Sequence, residues 1–342
     1  MSSKKLIPIA AIAIIGILVI VVSENLSKKR PSESTLRFFN EKANSFVVKN
    51  KTGAVTLHKK GDLWFVSRGV KNTAVVSGPI GSQPDSSGAD YPTDSATVVI
   101  ALEKLTAMKK GDIVSSNAEK QAIFEVDTVN GTSIEVFSIG GKSLGTIIIG
   151  KTTPDHNGNF VRMVGSNDVY NVGGNVGYSF FTDIDRWRDR VIMTFDKSLA
   201  TSLTLINNAG KTISITKADS GDVWNIVTPE KVQAKNDQVD GILSGLSRFT
   251  AADFQDTALA DSVSGFAKPE LVVSIGLKAG SKKITFGAKR DDGKYYAMVD
   301  GKDQIYLVND YEVTGFNKEL KDLKDAPAVD PAKTAKPVKG KK

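Results

Sequence analysis

Apolar and polar residues alternate with a period of two along most of the chain, and in two places the period lengthens to that of a helix. Val98, Ala101, Leu102 and Leu105 mark the first helical face, and Val239, Ile242, Leu243 and Leu246 repeat its i, i+3, i+4, i+7 spacing. Asp94 or Ser95 is placed to cap the first helix, and Asn236 or Asp237 the second. The remaining apolar runs read as strands, and they come in matched pairs. "NKTGAVTL" (50–57) answers "NNAGKTISI" (207–215), each with a glycine at a hairpin turn. "GDLWFV" (61–66) answers "GDVWNI" (221–226). "GTIIIGK" (145–151) answers "KITFGAK" (283–289), and "FVRMVGSNDVYNV" (160–172) answers "YYAMVDGKDQIYLV" (295–308). Asn130-Gly131, Asp292-Gly293 and Asp300-Gly301 read as type I′ hairpin turns.

The pairs keep one order along the chain, which is the mark of an internal repeat. The copies are offset by 160 residues at the tryptophans, 141 at the helices and about 136 at the last strand. The drop of 19 falls at "SGPIGSQPDSSGAD" (77–90), a Gly/Ser/Pro/Asp insertion in the first copy, and lengthening a surface loop costs little closure entropy. Each copy reads as strands, one helix, then a meander of about four strands. Parallel pairing would require more crossover helices than the sequence contains. The predicted class is α+β: an amino-terminal transmembrane helix, then two tandem copies of a mainly antiparallel β unit with one helix each. The units are placed at residues 44–178 and 200–318, with 179–199 as connector. Trp64 and Trp224 recur because each unit needs a large ring in its core; the rival reading is an exposed aromatic row, with Trp187, that stacks on a ligand.

The exception to this patterning is Leu6 to Val22, "LIPIAAIAIIGILVIVV", seventeen residues without a charge. As a helix it is roughly 25 Å long, at the short end for a bilayer core. An uncleaved anchor and a cleaved secretory signal with a Val21-Val22-Ser23 site both fit. The run exceeds an ordinary signal core and no Ala-x-Ala follows it, which favours the anchor. Residues 1–30 are then a cytoplasmic head and membrane span. The large carboxy-terminal body stands outside, making a single-pass protein of the bacterial inner membrane. Flanking lysines on both sides leave the charge rule for orientation undecided.

Charge and cysteine content narrow the classes. The formal net charge is +7, but residues 1–30 hold five Lys/Arg against one Glu, and residues 325–342 hold five Lys against two Asp, so the body is neutral. That excludes a basic nucleic-acid stripe. The Pro/Ala/Lys tail 325–342 has no apolar periodicity and reads as disordered. No cysteine is present, which removes disulfides, thiolate chemistry and a lipoprotein anchor.

The search for chemistry finds little. His58 lies on a strand expected to face solvent, and His156 sits in a turn beside Asp155 and Asn157. No nucleophile elbow, Walker loop, dinucleotide fingerprint or zinc motif occurs. "GGKSLG" (140–145) superficially resembles a phosphate loop but lies between two strands, and "VGGNVG" (172–177) opens no helix to hold a phosphate. Asp219/Asp222 and Asp291/Asp292 lie at turns, which leaves a hydrolase pair as a distant reading. No catalytic residue, cofactor or metal is assigned. In "FFTDIDRWRDRVIMTFDKSLA" (180–200), Arg186, Arg188 and Arg190 interleave with Asp183, Asp185 and Asp189. They form either a docking site or a self-paired short helix, and the close alternation of sign favours self-pairing.

The order of these strings resembles the domain-of-unknown-function 4340 family over roughly residues 1–320: a membrane span, "DLW"/"DVW", an "IGK"-type strand end, "Y-x-V" near the close of each unit, and "WRDRVIMTFD" between the units. The second copy departs from it at Gly287-Ala288-Lys289. The resemblance implies a bacterial, membrane-anchored protein, often encoded beside an ABC-type transport system with a gliding-motility-like auxiliary protein. It carries over no catalytic residue. The expected function is a non-enzymatic, extracytoplasmic structural or adaptor protein accessory to an ABC-type transport complex. Its partners would be the membrane, through Leu6 to Val22, and transporter subunits. Capture of an extracytoplasmic glycan or peptide, through an exposed aromatic row or an inter-unit cleft involving Trp64, Trp187 or Trp224, is the alternative.

Overall fold

The computed structural model describes residues 37–69, 89–219 and 221–325. The apolar run 6–22, most of the 77–90 insertion and the tail beyond residue 325 lie outside the described residues. Among the described residues no helix is long and apolar enough to cross a membrane. The chain divides into two compact units at the Asp189–Arg190 bond.

In the first unit, strands β1 (Ser45–Asn50), β2 (Gly53–Lys60), β3 (Leu63–Arg68) and β4 (Tyr91–Pro92) precede helix α1 (Ser95–Ala107). Strands β5 (Ile113–Ser115), β6 (Thr132–Phe137), β7 (Ser143–Thr152), β8 (Gly158–Met163) and β9 (Val169–Gly173) follow it. All nine join one antiparallel sheet in the order β4-β3-β2-β1-β6-β7-β8-β9-β5. Alternation decides the two faces. Phe46, Val48, Leu57, Val66, Ile147 and Ile149 point to the side where Val98, Ala101 and Leu105 of α1 pack. Ile148, one residue out of phase, lies in a smaller cluster on the other side with Val126, Phe160 and Val169.

The second unit opens with β10 (Val191–Thr194), followed by β11 (Ala200–Asn207), β12 (Thr212–Lys217), β13 (Trp224–Thr228), β14 (Val232–Gln233) and helix α2 (Asn236–Ser247). Then come β15 (Arg248–Thr250), β16 (Asp253–Gln255), the short helix α3 (Asp261–Ser264), β17 (Leu271–Leu277), β18 (Ser281–Lys289), β19 (Lys294–Val299) and β20 (Ile305–Asn309). The short helices α4 (Asp310–Phe316) and α5 (Leu320–Leu323) close it. Its nine-stranded sheet runs β14-β13-β12-β11-β17-β18-β19-β20-β16, position for position the order of the first.

Register extends the match to single residues. Phe46 pairs with Leu57 and Val136; Leu203 pairs with Ile215 and Ile275. Trp64 lies across from Lys59 and Trp224 across from Lys217. The β7–β8 ladder slips after Ile149, and the β18–β19 ladder slips after Phe286. Each slip begins at a glycine, Gly150 or Gly287, where a Cβ would stand 2.1 Å from a backbone oxygen, that of Phe124 or Ser264. The "GK" and "GAK" strings therefore mark one bulge pressed against a loop.

Several expectations need correction. Asp94 does cap α1, accepting from Ala96 N at 3.0 Å. No side chain caps α2, whose N-cap is Lys235. Asn236 instead turns back to β13, where its Oδ1 accepts from Trp224 N at 3.0 Å and its Nδ2 donates to Asp222 O at 2.8 Å. Asn130-Gly131 is not a hairpin turn: the Asp127 carboxylate gathers the Val129 and Asn130 N–H groups and the Asn130 side chain into a loop leading to β6. Gly53 is an ordinary first residue of β2, whereas Gly210 sits in the left-handed region at its turn. Each half-sheet after the helix carries a fifth strand, β5 or β16, of three residues, too short to declare itself by alternation.

Candidate functional site

Residues 179–189 do not form a free connector, because they complete the first unit. Asp94 N donates to Trp187 O at 2.8 Å and Asp189 N to Pro92 O at 2.9 Å. In the second unit Lys235 N donates to Leu323 O at 2.7 Å and Asp325 N to Gln233 O at 3.0 Å. Isolated bridges Thr93–Arg188 and Ala234–Lys324 lie between these bonds. The openings match too: Arg37 bridges Lys109 just after α1, as β10 pairs β15 just after α2. Residues 190–199 belong to the second unit, with Ile192 and Met193 in its core.

This placement fixes the residues picked out as candidate interaction sites. A 3-10 turn, Ile184–Arg186, is capped by Asp183, whose Oδ1 accepts from Asp185 N. The turn drives Trp187 inward. Its ring is fully buried, lies 5.8 Å from Phe46 and 5.3 Å from Phe181, and its Nε1 donates to Phe181 O at 3.0 Å. Trp64 and Trp224 are 7% and 5% exposed, each with a lysine ammonium about one ring-width away: Lys59 at 6.0 Å and Lys217 at 5.9 Å from the ring centroids. No indole presents a face to a ligand, so the aromatic-row reading loses the three residues it named. Arg188 is buried, pairs with Asp185 at 3.1 Å and covers Tyr91. Arg190 donates to Ala251 O and Ala252 O in the second unit and lies over Phe254.

Arg186 differs from these. It is exposed, its guanidinium carbon stands 3.4 Å over the Phe181 ring, and no ion pair to it occurs among the described residues. It borders a shallow hollow of about 360 Å³ with Asn50, Tyr178, Phe181, Thr182 and Asp183. Asn50, at the end of β1, accepts at Oδ1 from Thr52 N (2.9 Å), Thr52 Oγ1 (2.7 Å) and Thr182 Oγ1 (3.0 Å). Tyr178 is 72% exposed. Sequence reasoning picked out Arg186 but missed Asn50, Tyr178, Phe181 and Thr182. Asn50 and Thr182 are 132 positions apart and meet only because the closing segment returns to β1.

The histidines form no centre. His58, expected at the surface, is half-buried, stacked on Phe65 with its Nε2 3.5 Å from Asp90, which also takes Lys60. His156 has a left-handed backbone in a turn where Thr153 Oγ1 donates to Asp155 at 2.5 Å; that hydroxyl, foremost, holds the Asp155 carboxyl below its ordinary pKa. Among the described residues no group of three or more His, Cys, Asp or Glu is placed to hold a metal.

A family model described as "Domain of unknown function (DUF4340)" matches residues 86–261 and 224–334. The chain belongs to the DUF4340 family. The two matches overlap from Trp224 to Asp261, the stretch from β13 to the first residue of α3 in the second unit. DUF4340 membership thus agrees with the order of strings in the sequence and assigns no reaction. No curated protein and no solved structure matches the chain.

Proposed function

We propose that this DUF4340 protein is a non-enzymatic, membrane-tethered adaptor of the extracytoplasmic face, accessory to an ABC-type transport complex. The apolar run Leu6–Val22 supplies the tether. Fourteen residues separate Val22 from Arg37, and even fully extended they reach at most about 50 Å. Such a leash confines two sheet units near the bilayer and raises their effective concentration for a membrane partner.

The observation that carries the reading is the divergence of one surface within a duplicated scaffold. On the outer side of α1, Val99 and Ile100 are 44% and 52% exposed. The matching positions of α2 are Asp240 and Gly241. The buried faces of the two helices are alike, so the outer faces are free of core constraint, and at these two positions α1 carries exposed apolar side chains where α2 carries none. An exposed apolar helix face on an otherwise neutral body suits a protein partner.

Gentle solubilisation of the full chain from its native membrane tests the proposal. Transporter subunits should co-purify with the native chain and be lost from a Val99→Asp/Ile100→Asp double variant. Recovery of the native chain alone across several detergents would overturn it.

A further inference from the structure

The hollow beside Arg186 lies in the first unit, and its lining differs from the corresponding positions of the second. Counting from the shared closing bonds, the second unit has Thr314 for Tyr178, Asn317 for Phe181, Lys318 for Thr182 and Asp322 for Arg186. The core partners of the same segment are retained in kind, with Phe180 and Phe316 buried, and Trp187 and Leu323 buried. Four lining side chains thus differ between the units while the closing bonds and buried anchors are kept, and one change inverts the charge. Packing does not account for this, since Arg186 and Tyr178 are exposed.

The lining has a definite chemistry. Arg186 lies flat on Phe181, which fixes the guanidinium plane and leaves its N–H edge without an ion-pair partner among the described residues. A planar fork of donors matches a carboxylate in bidentate fashion. Asn50 commits its carbonyl oxygen to four donors, Gly53 N among them, which orients its amide N–H groups; these have no partner among the described residues. The hollow also contains acceptors. Asp183 spends one oxygen on Asp185 N, and the hydroxyls of Thr52 and Thr182 are turned to each other and to Asn50, leaving oxygen lone pairs. A bare anion offers nothing to these acceptors, whereas sugar hydroxyls do. Tyr178 presents an exposed ring against which the C–H face of a pyranose can lie. The volume is at the small end for ligand sites, enough for one sugar residue, and the hollow is shallow, so the rest of a saccharide chain could leave it.

We propose that this hollow binds the carboxylated sugar residue of an acidic saccharide. Arg186 takes the carboxylate, Asn50 and Tyr178 donate to ring and hydroxyl oxygens, and Asp183 and Thr182 accept from hydroxyls. The inference goes beyond the adaptor reading and stands without it, because it uses neither the tether nor the outer face of α1.

The test is titration of the full chain in detergent with sodium glucuronate, glucose and sodium acetate, followed by calorimetry or ligand-observed NMR. Glucuronate should bind saturably in the millimolar range. Glucose and acetate should each bind at least about tenfold more weakly, since each lacks one half of the contacts. Arg186→Gln should weaken glucuronate about tenfold, and Arg186→Lys should not restore it, because a point charge lacks the fork. Tyr311→Ala, an equally exposed tyrosine of the second unit, should change nothing. Acetate binding as tightly as glucuronate would reduce the hollow to an anion site and overturn the proposal. So would failure of glucuronate to saturate, or an Arg186→Gln variant that unfolds at the native temperature and binds as before.

Discussion

The backbone oxygens of Trp187 and Leu323 perform the same task in two units that share little side-chain identity at that point. Each accepts from the residue just before a helix, Asp94 or Lys235, at 2.8 and 2.7 Å, and each side chain is fully buried. The closing segment is therefore part of each core. Trp187→Ala is expected to cost about 3–5 kcal/mol and Leu323→Ala about 2–5 kcal/mol, by lost burial and the cavity left behind. Urea unfolding followed by near-ultraviolet dichroism measures both. Values within about 0.5 kcal/mol of the native chain would show that these segments are surface additions.

Asn236 and Asp94 stand at the starts of the two helices, but their roles differ. Asp94 caps its helix, so Asp94→Ala should cost about 1 kcal/mol. Asn236 ties the two ends of the turn before Trp224 to α2 through two hydrogen bonds. Asn236→Ala should cost about 1–2 kcal/mol. Amide exchange separates the two: Asn236→Ala should speed exchange at Trp224 N, a backbone donor in β13, while Asp94→Ala should act at the first turn of α1. Unchanged protection at Trp224 N would refute the assignment.

How much of this could be read from the residues depends on whether a feature leaves a pattern or only a backbone contact. The duplication was legible because it rests on large, alternating side chains: Trp64 and Trp224, and the apolar faces beginning at Val98 and Val239. The closing segments were not. "DIDRWRDR" and "ELKDLKD" share only one apolar pair three apart, Ile184/Trp187 and Leu320/Leu323, too short to stand out among the charges, and the rest of what they have in common is a set of N–H and C=O partners. The three-residue strands Ile113–Ser115 and Asp253–Gln255 were missed because alternation needs more positions. Asn130-Gly131 misled because the same dipeptide serves a hairpin turn or an aspartate-gathered loop, and only Asp127, three residues earlier, distinguishes them. The hollow beside Arg186 was half legible. The arginine stood out, but Asn50 and Tyr178 acquire meaning only when the sheet brings them together.

The two bulge glycines give a prediction about space rather than bonds. A methyl group at Gly150 or Gly287 would meet a carbonyl oxygen at 2.1 Å, and backbone cannot rotate away as a side chain can. Gly150→Ala and Gly287→Ala should each cost about 1–3 kcal/mol or more through overpacking. Gly140→Ala, with nothing within 4 Å of its added carbon, is the control and should be neutral or slightly stabilising. Equal midpoints in guanidinium for the variant at Gly140 and that at Gly150 would contradict the bulge geometry.

Asp127 supplies the pH dependence. Its carboxylate accepts from the Asn130 side chain at 2.9 Å and from two backbone N–H groups. The Asn130 side chain, foremost, together with the backbone donors holds its pKa below the ordinary value, against the opposing effect of burial. A carboxyl whose folded pKa is depressed binds its proton more readily in the unfolded chain. Its contribution is fully present above the unfolded value of about 3.9 and is lost as the pH falls through the lower folded value. Urea midpoints measured from neutral pH down to about pH 2 should therefore fall more steeply at the acid end for the native chain than for Asp127→Asn. The variant keeps one acceptor oxygen, cannot titrate, and should be the less stable of the two at neutral pH. If the acid limbs of the two curves run parallel, the loop that leads into β6 is not held by the charged form of Asp127.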